Sequence, residues 1–266
     1  MRIYWQSFVD KTVGASYLGR LQSYLNGIAA PGTTVDVFGM TPPDRDFGRL
    51  SELRCGIQAI DAGLGAEEQG YDGFVMGHFQ DPGLYELRSA LHIPVVGAGE
   101  ASMLAALQLG RDIGLVTLDP AFEIWHREQA DGYGIGHRVR FVTGMGRTPQ
   151  EFDACFAGDE ALKAELLADF TRLATPMVEA GADVIIPAGI LPGLLIGGEK
   201  GFTVAGAPVV NCAAVALKSA EMWVQLRDLS DLEPNRRRCF ALASERAKRD
   251  FRALVAGGAP SIPPGK

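Results

Sequence analysis

Gly77-His78-Phe79-Gln80-Asp81-Pro82-Gly83-Leu84 follows the apolar run Gly73-Phe74-Val75-Met76, and Pro187-Ala188-Gly189-Ile190-Leu191-Pro192-Gly193-Leu194 follows Asp183-Val184-Ile185-Ile186. Pro-Gly-Leu therefore recurs from Pro82 to Pro192, an offset of 110 residues, and each copy is followed by Pro-Val-Val, at 94–96 and 208–210. Continuous apolar runs of this length read as strands buried on both faces. A strand, a Pro-Gly turn and a second strand start, repeated in order, predict two similar α/β lobes. Open α/β sheets bind ligands beyond the carboxyl ends of their strands, so both loops are expected at one shared cleft.

Working outward, strands are predicted at Arg2–Phe8, Thr34–Phe38, Gly73–Phe79, Pro94–Gly97, Ile113–Leu118, Val139–Gly144, Asp183–Ala188 and Pro208–Asn211. Helical patterns lie between them, at Val13–Ala29, Ser51–Gln69, Leu84–Leu91, Ala101–Leu109, Ala121–Tyr133, Asp159–Ala180 and Ala213–Leu229. In the sixth, Leu162, Leu166, Leu167, Phe170, Leu173 and Met177 fall near helical spacing and read as a core stripe. The expected fold class is α/β, with two pseudo-symmetric lobes of parallel sheets flanked by helices and an active site in the inter-lobe cleft. The first lobe is expected at 1–95 plus 208–230 and the second at 96–207. Residues 231–266 are expected to add a basic surface helix at 234–256 and a flexible Gly/Pro-rich tail from Gly257.

The chain has 266 residues, with 25 Lys and Arg against 32 Asp and Glu, for a net charge of −7. An acidic chain without a basic face argues against nucleic acid, since phosphate neutralisation needs clustered cations. No apolar run approaches a membrane span, and the start leads straight into a strand-like run without a signal-peptide pattern. Four dispersed cysteines, Cys55, Cys155, Cys212 and Cys239, suit free thiols in a reducing cytoplasm. The four histidines show no metal-ligand spacing, and no metal or other cofactor is expected.

The runs Gly77–Leu84, Pro94-Val95-Val96-Gly97-Ala98-Gly99-Glu100-Ala101, Ile113-Gly114-Leu115-Val116-Thr117, Ala182–Ile186 and Pro208-Val209-Val210 together resemble the aspartate/glutamate/hydantoin racemase superfamily over roughly residues 1–228. The resemblance implies two pseudo-symmetric lobes and a cofactor-free site between them. It also implies a homo-oligomer and two facing thiols that move a proton alpha to a carbonyl. Here His78 stands in the first thiol position and Ala188 in the second. The family fold carries over on this reading, while the two-thiol chemistry does not.

His78 is the principal catalytic candidate, because an imidazole titrating near neutrality can take or give a proton. Gly189 and Ile190, beside Ala188, can offer backbone N–H groups to an oxyanion. The resemblance places Gln6, Ser7 and Thr117 at strand ends where polar groups hold a carboxylate or carbonyl, and Phe79 beside them. His126 is the candidate for a second acid or base. Asp81 reads as a turn residue and Glu100 as a helix-start carboxylate. Gly97-Ala98-Gly99-Glu100-Ala101-Ser102 approximates a dinucleotide fingerprint with Asp119 for the ribose, although Ser102 replaces its third glycine. The expected function is a cofactor-independent isomerase acting alpha to a carbonyl of a small carboxylate or cyclic amide. Hydrolysis or decarboxylation on the same scaffold, and small-molecule binding without catalysis, remain open at this point.

Overall fold

A computed structural model describes residues 1–257. The expected tail, from residue 258 onward, lies outside the described residues. Strands β1 (Arg2–Gln6), β2 (Thr34–Phe38), β3 (Gly73–Met76) and β4 (Val95–Gly97) form a parallel sheet in the order β2-β1-β3-β4. Strands β5 (Ile113–Thr117), β6 (Val139–Gly144) and β7 (Val184–Ala188) form a second parallel sheet in the order β6-β5-β7. The second Pro-Val-Val joins this sheet through one parallel bridge, Ile185 to Val209, with Val210 N–H donating to Ile185 O at 2.9 Å. Both sheets thus share one strand sequence, which is the physical content of the repeat.

That bridge corrects one expectation. The strand at Pro208–Asn211 does not complete the first sheet. Ala207–Pro208 (β9) pairs antiparallel with Thr203–Val204 (β8), and Val209 lies beside β7. Pro208 has no N–H to donate to a longer ladder. The helix that follows, α9 (Cys212–Ser230), crosses over to pack on β3 and β4 of the first sheet. In exchange α4 (Ala98–Ala106), which follows β4, packs on β7 and on α9. This swap merges the two lobes into one core, where Trp5, Val75, Leu115, Ile186 and Leu217 are all fully buried in a single cluster.

The remaining helices are α1 (Lys11–Ile28), α2 (Arg49–Glu68), α3 (Leu84–Ala90), α5 (Phe122–Gly132), α6 (Pro149–Phe156), α7 (Glu160–Glu179), α8 (Ile190–Gly197) and α10 (Glu245–Val255). The stripe on α7 is core as expected, with Leu166, Phe170 and Met177 buried. Three helices differ from expectation. Helix α6 was not anticipated, although Thr148 and Glu151 form a capping box ahead of Pro149. Helix α8 lies where no helix was expected, between the strand ending at Ala188 and the one starting at Pro208, because its all-apolar face is buried against α9 and leaves no amphipathic period to read. Only Glu245–Val255 of the expected 234–256 helix is helical, and it docks on α2 through Phe251 and an Arg252–Glu68 pair at 2.8 Å.

Candidate active site

The loops after β3 and β7 face each other across a cavity of about 70 Å³. His78, Phe79 and Ser7 line it from the first lobe, and Ala188, Gly189 and Ile190 from the second. The two repeat loops, remote in sequence, therefore share one cleft. Its walls are mostly apolar, with Phe8, Phe47, Phe122 and Leu118 contributing, and among the described residues no Lys or Arg lines it. Among the described residues no cysteine lines it either.

His78 is held from two sides. Its ring stacks on Phe8, centroids 4.2 Å apart and planes 12° apart. Its Nε2 lies 3.2 Å from Glu52 Oε2, on the first turn of α2. Burial pulls the imidazole pKa down, but the facing Glu52 carboxylate, followed by Asp44 and Asp81, more than offsets that, and the net direction is upward. Because the carboxylate accepts the Nε2 proton, a neutral ring carries its lone pair on Nδ1. Asp44, from the loop after β2, completes the cluster and lines the cavity. Burial pushes its carboxyl pKa upward while His78 pulls it down. Neither Asp44 nor Glu52 was singled out from sequence. A carboxylate in a Pro-Pro-Asp loop and one in a first helical turn both have ordinary local explanations.

The Asp81 carboxylate makes no hydrogen bond to His78. It turns away from the cleft and accepts Gly99 N–H at 3.1 Å, Glu100 N–H at 2.7 Å and the Tyr133 hydroxyl at 2.7 Å. Burial outweighs the downward pull of Tyr133 and the two backbone donors, and the carboxyl is raised to about 7. With Gln129 Nε2 donating as well at 3.3 Å, four converging donors favour the acceptor-only carboxylate form. The same contacts explain the glycine-rich start of α4. A Cβ on Gly99 would lie 2.0 Å from Phe79 O, and one on Gly97 2.6 Å from Asp81 Cγ. These glycines admit an internal carboxylate, so the helix start resembling a dinucleotide fingerprint is already occupied. Glu100 pairs with Arg88, beside that cap.

Behind Ala188 lies a neutral network. Gln129 Nε2 donates to Phe79 O at 2.6 Å, which turns its Oε1 toward His126 Nδ1 at 3.1 Å. That nitrogen therefore carries the ring proton, and Nε2, 3.0 Å from Thr117 Oγ1, is the acceptor. The Thr117 hydroxyl, also 3.1 Å from Ala188 O, serves these two acceptors with its single proton. His126 is completely buried, and burial pushes its pKa down to about 4. Cys212 sits against the back of the same loop, its Sγ 3.3 Å from Gly189 O, and burial pushes its thiol up to about 12. A Cβ on Gly193 would lie 2.1 Å from that sulfur.

Among the residues expected at the site, His78, Ser7, Phe79, Ala188, Gly189 and Ile190 meet at the cavity. Gln6, Thr117 and His126 do not line it. Gln6 spends its amide on the carbonyls of Ser7 and Gly39, at 2.8 and 3.3 Å. Strand-end position is shared by groups facing forward and groups packed behind, and only the packing separates them.

Residues 14–220 match the sequence profile described as Asp/Glu/Hydantoin racemase. The chain belongs to this family. Family relatives include a hydantoin racemase of Pseudomonas sp. (strain NS671), 37% identical over 101 residues, which are 37% of this chain and 40% of the relative. A hydantoin racemase of Rhizobium meliloti is 25% identical over 174 residues, 65% of each chain. The matched stretches thus span less than two thirds of either relative's length. Among solved structures, the allantoin racemase from Klebsiella pneumoniae superposes with a TM-score of 0.75 at 21% identity, covering 92% of this chain and 94% of that one. The allantoin racemase from Pseudomonas fluorescens gives 0.71 at 23% identity, covering 91% and 97%. At these identities the structures establish the α/β fold. Among the described residues, no helix is long and apolar enough to cross a membrane.

Proposed function

We propose that this protein is an isomerase of the racemase type that moves a proton at the carbon alpha to a carbonyl, on a small neutral cyclic amide such as a substituted hydantoin ring, with His78 as acid and base. The observation that carries the reading is the placement of the His78 ring in the cleft, stacked on Phe8 and paired through Nε2 with Glu52. Glu52 holds the Nε2 proton, so Nδ1 is the nitrogen available to take a proton from the substrate. The electron pair of the broken C–H bond moves onto the carbonyl oxygen. The start of α8, whose first N–H groups have no intrahelical partner, supplies donors for that oxyanion. A wall without Lys or Arg, next to two carboxylates, favours a neutral ring over a carboxylate substrate.

All the titratable groups close to the reacting position belong to the first lobe, and the Ala188 side is inert. Proton removal and return consequently occur on one face of the substrate unless it turns within the site. The test is solvent-deuterium incorporation at the alpha carbon of 5-substituted hydantoins, followed together with optical rotation. Incorporation that depends on His78 supports the reading. Ring opening by water that depends on His78 moves the assignment to a hydrolase, and exchange that is undiminished in His78→Ala removes the histidine from the chemistry.

A further inference from the structure

A buried carboxylate, Asp44, and a half-buried one, Glu52, converge on His78 with too few donors to satisfy them. One ligand atom from each of Asp44, Glu52 and His78 lies within 4.8 Å of the other two. Asp44 is 7% exposed and its Oδ1 has no hydrogen-bond partner; Glu52 Oε1 is also buried and unpartnered. Buried carboxylate oxygens are ordinarily paired, hydrogen-bonded or bound to a cation. The Arg54 guanidinium acts on Asp44 only through space, because its hydrogen bonds are directed elsewhere: it donates to Pro42 O at 2.8 Å, to Pro43 O at 3.2 Å and to Gln58 Oε1 at 2.5 Å. Apart from the Ser51 hydroxyl beside Asp44, a single imidazole proton therefore faces two carboxylates.

We propose that Asp44, Glu52 and His78 form a binding site for one first-row divalent cation of the zinc or cobalt type. The donor set selects the class. An imidazole nitrogen with two carboxylates suits zinc and its neighbours, whereas magnesium and calcium favour oxygen-only shells. Metal–ligand bonds of about 2 Å place ligand atoms within roughly 4 Å of each other, so the three groups need close by less than about 1 Å. Three protein ligands leave a fourth position for water, on the side of the cavity that Asp44 and His78 line. The ligands come from three separate elements: the loop after β2, the first turn of α2 and the loop after β3. No sequence spacing could have announced them.

The cation and the proposed chemistry exclude each other, a consequence that rests on the role given to His78. A cation on Nε2 displaces the proton held there by Glu52. The neutral ring then keeps its one proton on Nδ1, and the lone pair needed for proton abstraction is gone. Binding is thus expected to switch the reaction off.

The experiment uses the full chain after chelator treatment and dialysis, with the exposed Cys239 replaced (Cys239→Ser) to remove an unrelated thiol ligand. Zinc uptake by equilibrium dialysis, cobalt absorption and thermal unfolding are measured together. About one equivalent of tightly held zinc, with a raised Tm, is expected. Asp44→Asn and Glu52→Gln should each weaken uptake by at least about tenfold, the scale seen even for groups that merely support metal ligands. Zinc uptake below about 0.1 equivalent at saturating metal overturns the site on wild-type protein alone, whether or not the variants fold. Unchanged uptake in folded Asp44→Asn,Glu52→Gln double-variant protein also overturns it. The hydantoin exchange assay on metal-free enzyme separates the two readings. Absence of exchange there defeats the proposed function, while zinc stoichiometry still decides the site.

Discussion

The loops after β3 and β7 hold like places in two sheets of the same strand order, yet they are anchored by opposite means. The first, 77–84, is tied down by a charge: Asp81 accepts two backbone N–H groups of α4 and the Tyr133 hydroxyl, and His78 projects into the cleft against Glu52. The second, 187–194, is held by neutral groups: Thr117 and His126 behind Ala188, and Cys212 against Gly189 O. It continues directly into the apolar helix α8. A repeat in sequence thus fixes where a loop stands. The side chain at its tip decides whether that place does chemistry, and the buried groups behind it decide how it is held.

The largest expected effect tests this asymmetry at the tips. His78→Ala should lower alpha-deuterium exchange by about 10²–10⁴-fold, the usual contribution of a positioned acid–base group. Ala188→Ser, on the inert side, should change the rate far less. Comparable losses at both positions would break the contrast.

The anchors come next. His126 is neutral in the folded protein, with its pKa pushed down to about 4, and gains a proton on unfolding below about 6.5. The folded pKa is depressed, so this group's contribution to stability is complete above the unfolded value and is lost as pH falls toward the folded one. Wild type should therefore lose about 2 kcal/mol more than His126→Gln between about pH 7.5 and about pH 5, measured by urea unfolding. Equal pH slopes would mean that the ring is hydrated or already charged.

Asp81→Asn keeps the shape of the first anchor but replaces one acceptor oxygen with a donor that faces other donors. A loss of about 1–3 kcal/mol in urea unfolding is expected, with His78 displaced enough to lower exchange as well. A loss of stability with exchange intact would show that the anchor does not position the histidine.

The smallest effect concerns thiols. Cys55, Cys155 and Cys212 are buried, with burial raising their pKa, and Cys239 is the exposed one. Iodoacetamide on native protein should label about one cysteine and change turnover by less than about twofold. Rapid inactivation mapped to Cys212 would reinstate thiol chemistry on the second lobe.

Much of this architecture was legible in residue order. Short β-branched apolar runs such as Val184-Ile185-Ile186, bounded by turn residues, read as strands covered on both faces, and Pro-Gly-Leu followed by Pro-Val-Val marks the second half as a copy of the first. His78 stood out because its loop follows such a strand. Helix α8 did not, because Ile190-Leu191-Pro192-Gly193-Leu194 is apolar all round and carries no period to read. The capping box at Thr148 and Glu151 is a local signal for α6 carried by the residue order itself.

Sequence by itself determined the strands, their repeat and the residues at the two loop tips, since each rests on contacts between near neighbours and on hydrophobic period. Tertiary structure alone decided which strand-end polar groups face the cleft. Gln6, Thr117 and His126 turn inward to satisfy buried carbonyls and hydroxyls, whereas Asp44 and Glu52 arrive beside His78 from 34 and 26 residues away. It also decided that Val209 joins β7 while α9 crosses to the first sheet. Such choices depend on what else must be desolvated and paired at the same point in space, and that balance is set by residues far apart in the chain.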